Sequence, residues 1–221
     1  MSTRDIVDMR EAPKGGEKDL EEGLRKAYQE WLKSATDEER QLADRALRFE
    51  FNFFYDLLLS DPSAETDLDD IPEFVEEISQ WMSVSYKCRF IVDSGLSSKG
   101  AGATYDLATK TFRIHPDWIG DDLVLVHELI HHYDHGLQTM LWRDFVVIRL
   151  YEKLRTVIPN LWEHCKSHFS EILPRGGLMS HTFLFLLMSM YFDRKLELPL
   201  GSIFNYDKRQ AFSENNEQVD P

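Results

Sequence analysis

Hydrophobic positions recur at helical spacing in the first third of the chain. Apolar residues at steps of three and four predict a first amphipathic helix, and they are Leu20, Leu24, Tyr28, Trp31 and Leu32. Thr36 followed by Glu39 forms a capping box, which predicts the start of a second helix. Pro72 is typical of a first helical position and indicates a third helix. We therefore expect a helical N-terminal part over residues 17–86.

The pattern changes from helical to extended after Tyr86. Residues 88–92, with the sequence CRFIV, predict a strand, and residues 103–105 and 111–114 predict a hairpin around a polar turn. Helical periodicity then returns and continues to residue 192. The expected fold class is α+β, mostly helical with a small antiparallel sheet ahead of the helix that begins near Leu123.

The helical stretch after residue 122 divides into four segments. The first carries the apolar run Leu123–Val126, and the second, over residues 141–155, places Trp142, Phe145, Ile148 or Val147, and Leu154 at helical spacing. Pro159 separates this second segment from a third helix over about 161–172. The fourth, residues 178–192, is the most apolar stretch, but it is too short to span about 30 Å of hydrocarbon and is expected to be a core helix.

Charge and cysteine usage exclude several function classes. The chain has 221 residues and a formal net charge of −14, which argues against binding to nucleic acid phosphates. Its two cysteines cannot build a disulfide framework. The first residues are polar, so we expect no signal peptide and an intracellular, cytoplasmic location.

The residues most informative about chemistry are His127, Glu128 and His131, which form an H-E-x-x-H motif. Two imidazoles four residues apart share one helix face, about 6 Å apart along the axis. Both can reach one zinc ion from there, and Glu128 lies where a general base can take a proton from the water that the metal activates. Asp121 and Asp122 favour a helix start just before the motif, and Gly136 favours an end after it.

A catalytic zinc site needs a third protein ligand. We assign Glu152, twenty-one positions after His131 on the next helix, because a glutamate about twenty residues downstream completes a His₂Glu set. Glu163, His164 and His135 are the alternatives.

Two residues next to the motif, Asp134 and His132, are not assigned as ligands. Asp134 is expected as a hydrogen-bond partner for a ligating imidazole or as a solvated acid, and His132 is expected to be exposed.

The residues 127–134, HELIHHYD, resemble the H-E-L-[IV]-H-x-[FY]-D segment of the mitochondrial inner-membrane peptidases that process and help assemble ATP synthase. Glu152 followed by Arg155 resembles that family's downstream S-E-I-R element, and the match spans about residues 103–155. The resemblance implies a zinc metallopeptidase of gluzincin type with a zincin-like fold. That family is rich in cysteine and this chain is not, so the mitochondrial substrate and location are not carried over.

The sequence therefore predicts a zinc metalloendopeptidase that acts on a peptide or protein substrate, with no nucleic acid partner and no transmembrane segment. Its ligands are His127, His131 and Glu152, and Glu128 is its base. Candidates for the group that stabilises the oxyanion are His181, Tyr151 and Tyr191. The alternative function is a non-catalytic, zinc-binding helical domain that acts as a protein-interaction module.

The expected domain organisation is a single zincin-like domain over residues 17–205. Its helical part covers residues 17–86 and its catalytic part residues 87–205. Flexible segments flank it, namely an arm over 1–16 and a tail over 206–221, because both are polar.

Overall fold

Helices and three short strands make up the elements of the computed structural model, which describes residues 14–54, 88–96, 102–138, 143–172 and 181–204. The strands are β1 (Arg89–Val92), β2 (Ala103–Asp106) and β3 (Thr111–Ile114). The helices are α1 (Lys14–Ser34), α2 (Asp37–Phe54), α3 (Asp122–Gln138), α4 (Arg143–Val157), α5 (Leu161–Ile172) and α6 (Phe183–Lys195). Within these ranges the chain is α+β and mostly helical, as predicted.

The N-terminal helices follow the sequence pattern closely. The Glu39 amide donates to the Thr36 hydroxyl at 3.2 Å and the Glu39 carboxylate accepts from the Thr36 amide at 2.9 Å, which confirms the capping box at the start of α2. Helix α1 begins at Lys14, inside the segment expected to be a loose arm. The helix predicted from Pro72, the rest of the arm and the tail after residue 205 lie outside the described residues.

The sheet differs from the prediction in the direction of one strand. Its order is β1-β3-β2, with β2 antiparallel to β3 as predicted and β1 parallel to β3. The sheet is therefore mixed, and the expectation of an antiparallel sheet was wrong for β1. Hydrophobic patterns indicate which residues are extended, but the direction of a strand depends on how the chain connects it to its neighbours. Here β2 lies on the side of β3 opposite β1, so β1 and β2 are the edge strands among the described strands.

Side chains of the N-terminal helices form hydrogen bonds to the elements that follow. The Trp31 indole donates to the Phe90 carbonyl at 2.9 Å, and the Glu39 carboxylate accepts from the Val92 amide at 3.1 Å, so α1 and α2 are tied to β1. Arg45 of α2 donates to the Ile119 carbonyl and pairs with Asp122 at the first residue of α3. The beginning of α3 is thus fixed from the N-terminal side.

Helix α3 lies at the centre of the core. Its residues 124–130 are all buried, and it packs against β2, α2 and α6. Helix α6 is buried on all sides from Leu184 to Asp193, so it is a core helix as expected, but it begins at Phe183 and not at residue 178 because Thr182 is extended and caps it. Among the described residues, no helix has the length and apolar character needed to cross a lipid bilayer.

Candidate metal centre

Helix α3 presents His127 and His131 on one face, as the four-residue spacing predicts. The centroids of their imidazole rings lie 5.0 Å apart, with the ring planes inclined at 76°. His127 is buried and His131 is half-buried. Two nitrogen ligands from successive helical turns are therefore available to one ion.

His181 completes this group from the residue before the N-terminal cap of α6. Its ring centroid lies 5.2 Å from that of His127 and 4.9 Å from that of His131, so the three rings form a nearly equilateral triangle. One potential ligand atom from each of the three histidines lies within 4.8 Å of the others, and together they could hold a metal ion. We call His127, His131 and His181 the histidine cluster.

The distance between two ligand atoms of the histidine cluster fits a tetrahedral ion. The Nε2 atoms of His127 and His181 are 3.3 Å apart. Zinc–imidazole bonds of about 2.0–2.1 Å at tetrahedral angles separate two ligand nitrogens by about 3.3–3.4 Å. The donor set, three imidazole nitrogens, is also one that zinc accepts.

A backbone hydrogen bond sets the protonation pattern of His127. Its Nδ1 lies 2.9 Å from the Ile203 carbonyl oxygen, and only a protonated Nδ1 can donate to that oxygen. Burial, and then the neighbouring His131 and His181, lower the pKa of His127 well below its usual value. The ring is therefore neutral, and its unprotonated Nε2 lies 3.3 Å from Nε2 of His181.

Asp134 holds the end of α6 that carries His181. Its Oδ1 accepts a hydrogen bond of 2.7 Å from the hydroxyl of Thr182, the N-terminal cap of α6, which itself accepts from the Phe185 amide at 3.2 Å. The prediction placed Asp134 directly on an imidazole or in solvent. The structure instead buries it and bonds it to the residue next to His181, so its carboxylate positions that histidine through the helix cap.

One aromatic ring packs against all three members of the histidine cluster. The centroid of Phe185 lies 5.0 Å from the ring of His127, 4.5 Å from that of His131 and 4.4 Å from that of His181. Phe185 is fully buried and forms an apolar floor. This floor excludes water from one side of the imidazoles and restricts their side-chain rotations.

Glu128, the expected base, is buried beside the histidine cluster with 4 % of its surface exposed. Burial raises the pKa of its carboxyl to about 8. A divalent cation held by the histidine cluster would favour the ionised form of this carboxyl.

The structure does not bring Glu152 into the histidine cluster. Its side chain is 62 % exposed, and its nearest cation is Arg149 at 3.9 Å. Among the described side chains of α4, Val146, Leu150 and Leu154 are buried in the core, and Glu152 lies on the opposite side of the helix. The assignment of Glu152 as third ligand is corrected accordingly. The sequence alternatives Glu163, His164 and His135 also lie outside the cluster, which is formed by other residues.

His132 is buried, not exposed as expected. Its Nδ1 lies 2.8 Å from the hydroxyl of Tyr105, and its ring meets that of Phe112 edge to face. Only 2 % of the His132 surface is exposed. This histidine therefore ties the edge strand β2 to the helix that carries the histidine cluster.

The three candidates for oxyanion stabilisation have different locations. His181 belongs to the histidine cluster, so its ring nitrogen is engaged there. Tyr191 is buried on α6, where burial raises the pKa of its hydroxyl, and Tyr151 is half-buried on α4.

The sequence offers one weak signal for His181 as a cluster member. His181 precedes Thr182, a threonine that caps a strongly apolar helix, and this position places the His181 side chain at a helix end.

Comparisons with protein-family models, with curated proteins and with solved structures find no match to this chain.

Proposed function

We propose that this chain is a zinc-dependent metalloendopeptidase whose metal is held by His127, His131 and His181. The observation that carries the proposal is the convergence of three imidazoles beside a buried glutamate that follows the first of them. The resemblance stated for residues 127–134 implies the same activity. The proposed ligand set replaces the glutamate of the gluzincin type with a third histidine, and the proposed fold is zincin-like.

Three protein ligands leave one position of a four-coordinate ion for water or substrate, which is the arrangement of catalytic rather than structural zinc sites. When bound, zinc supplies Lewis-acid activation of a water molecule and of a substrate carbonyl. The apolar floor formed by Phe185 strengthens the electrostatic interactions inside the site because it excludes solvent.

Glu128 is the proton-transfer group of this proposal. Its carboxylate takes a proton from the attacking water as the water adds to the peptide carbonyl, and the same oxygen then delivers the proton to the departing amine. Burial raises the pKa of this carboxyl and a bound divalent cation would lower it, so the two effects act in opposite directions on the group that must both accept and release a proton.

The proposed substrate is a peptide in an extended conformation that pairs with the edge of β2. This strand is at the edge of the described sheet, and Tyr105 on it is hydrogen-bonded to His132 of α3. A peptide added to that edge would gain backbone hydrogen bonds next to the helix that bears Glu128.

The test is the Glu128→Gln variant, with Glu152→Gln as a matched control. We expect Glu128→Gln to bind about one zinc per chain but to hydrolyse an unfolded protein such as casein about 10²- to 10⁴-fold more slowly, the usual contribution of a general base. The control should match wild type because Glu152 is exposed on α4. Full activity in Glu128→Gln would refute the mechanism, and zinc binding without hydrolysis in wild type would favour the interaction module.

A further inference from the structure

The segment that follows α6, residues 196–204, contacts two members of the histidine cluster. The Ile203 carbonyl accepts the hydrogen bond from His127, and the ring of Phe204 lies 5.3 Å from that of His181. Ile203 is fully buried. The position of this segment, which we call the C-terminal turn, therefore sets the orientation of one cluster imidazole directly.

The C-terminal turn is wound around the carboxyl group of Asp193, a residue in the last turns of α6. Asp193 Oδ2 accepts from the Gly201 amide at 2.7 Å, and its Oδ1 accepts from the Ile203 amide at 3.0 Å. Gly201 has a φ of 84°, a left-handed conformation that favours glycine. The Asp193 backbone carbonyl also accepts from the Leu198 amide at 2.8 Å. These three bonds fix the path of the turn.

Asp193 and His127 thus hold the two polar backbone groups of the same residue. The Ile203 amide donates to Asp193, and the Ile203 carbonyl accepts from His127. The Ile203 N–H and C=O belong to successive peptide units joined through the Ile203 Cα, so the backbone itself couples the two hydrogen bonds. A displacement of the Ile203 amide would displace the carbonyl that orients the His127 imidazole.

Burying the carboxyl group of Asp193 costs folding free energy. Asp193 is fully buried, and burial raises the pKa of its carboxyl to about 7 although the two amides oppose that shift. Backbone N–H groups can donate hydrogen bonds to neutral acceptors, so a turn does not by itself require a buried acid. A carboxylate that accepts hydrogen bonds from two backbone N–H groups at once, however, holds the turn in one conformation.

We propose that Asp193 is a positioning residue for the metal centre: by anchoring the backbone of Ile203, it directs Nε2 of His127 towards the metal. The inference rests on the proposed metal site but not on the proposed hydrolysis. It extends the set of functional residues to a side chain that the sequence does not connect with the H-E-x-x-H motif.

The experiment compares Asp193→Asn with Ser189→Ala in the full chain. Asparagine keeps the size of the side chain but offers one acceptor where the aspartate offers two, so one of the two amides loses its partner. Ser189 is a matched control because it is fully buried on the same helix and donates to the Phe185 carbonyl at 2.9 Å, away from the C-terminal turn. Zinc affinity is measured by competition with a chelator, and the visible absorption spectrum of bound Co²⁺ reports ligand geometry.

We expect Asp193→Asn to bind zinc about 10- to 100-fold more weakly, the usual effect of losing a group that orients a ligand, and to shift the Co²⁺ bands. Ser189→Ala should lose stability without either change. If Asp193→Asn does not fold, Gly201→Ala disturbs the same turn from its other side and should weaken zinc binding in the same way.

Wild-type zinc affinity and an unshifted Co²⁺ spectrum in a folded Asp193→Asn or Gly201→Ala variant would overturn the proposal. Equal losses of zinc affinity in Asp193→Asn and Ser189→Ala would also overturn it, because they would show a general effect of stability. The proposed peptidase activity fails on a different result, an inactive wild-type protein with zinc bound.

Discussion

Replacing His181 with alanine is the most direct test of the ligand set. Zinc binding to four-ligand peptide sites is worth about 10–16 kcal/mol at neutral pH, so one ligand of four accounts for about 2.5–4 kcal/mol. Since 1.4 kcal/mol corresponds to a factor of ten, we expect His181→Ala to weaken zinc binding about 100- to 1000-fold. Glu152→Ala removes only a surface ion pair worth about 0–1 kcal/mol and should leave the affinity unchanged.

The assay is a competition titration against a chromophoric chelator, with the metal content of purified protein measured in parallel. The stability of the metal-free variants must also be compared, because His181 packs on Phe185 with ring centroids 4.4 Å apart. A metal-free His181→Ala protein that is folded but binds zinc weakly would support the cluster. Normal zinc affinity in His181→Ala, with strong loss in Glu152→Ala, would refute the geometric argument and restore the glutamate ligand.

Three further outcomes follow from single contacts. Gly102→Ala should lower the free energy of unfolding in urea by about 1–3 kcal/mol, because the added Cβ would lie 2.6 Å from Nε1 of Trp118; an unchanged transition would contradict this. Thr182→Val should cost about 1–3 kcal/mol and weaken zinc binding because it leaves buried Asp134 without that donor, whereas Thr182→Ser should not. Burial raises the pKa of Cys165 to about 12, which leaves almost no thiolate at pH 8, so iodoacetamide should label this residue only in unfolded protein.

Several local features were predictable from sequence because neighbouring residues determine them. The capping box at Thr36 and the hairpin of β2 and β3 depend on side chains a few positions apart, and both are confirmed. The same holds for the shared face of His127 and His131, which follows from helix geometry alone.

The location of Glu152 shows what a sequence separation cannot decide, because twenty-one positions after His131 do not fix which face of the second helix meets the core. The sequence interpretation placed Ile148 or Val147 at a core position, and Glu152 shares the helix face of Ile148, four residues earlier. In the structure Ile148 is 55 % exposed, while Val146, Leu150 and Leu154 are buried. Helix α4 has apolar residues on more than one side, so its sequence does not define which side meets the core; packing against α6 does.

The sequence by itself determined that one helix carries two imidazoles on one face and a glutamate directly after the first of them, because those positions are related by the fixed pitch of an α-helix. Only the tertiary structure decided which third imidazole joins this pair, the direction of β1 and the contact between Asp193 and the Ile203 amide. His181 reaches the cluster because α6 packs against α3, and Asp193 meets the Ile203 amide because the chain turns back after α6. These contacts join residues 10 to 54 positions apart, and no local repeat in the chain records them.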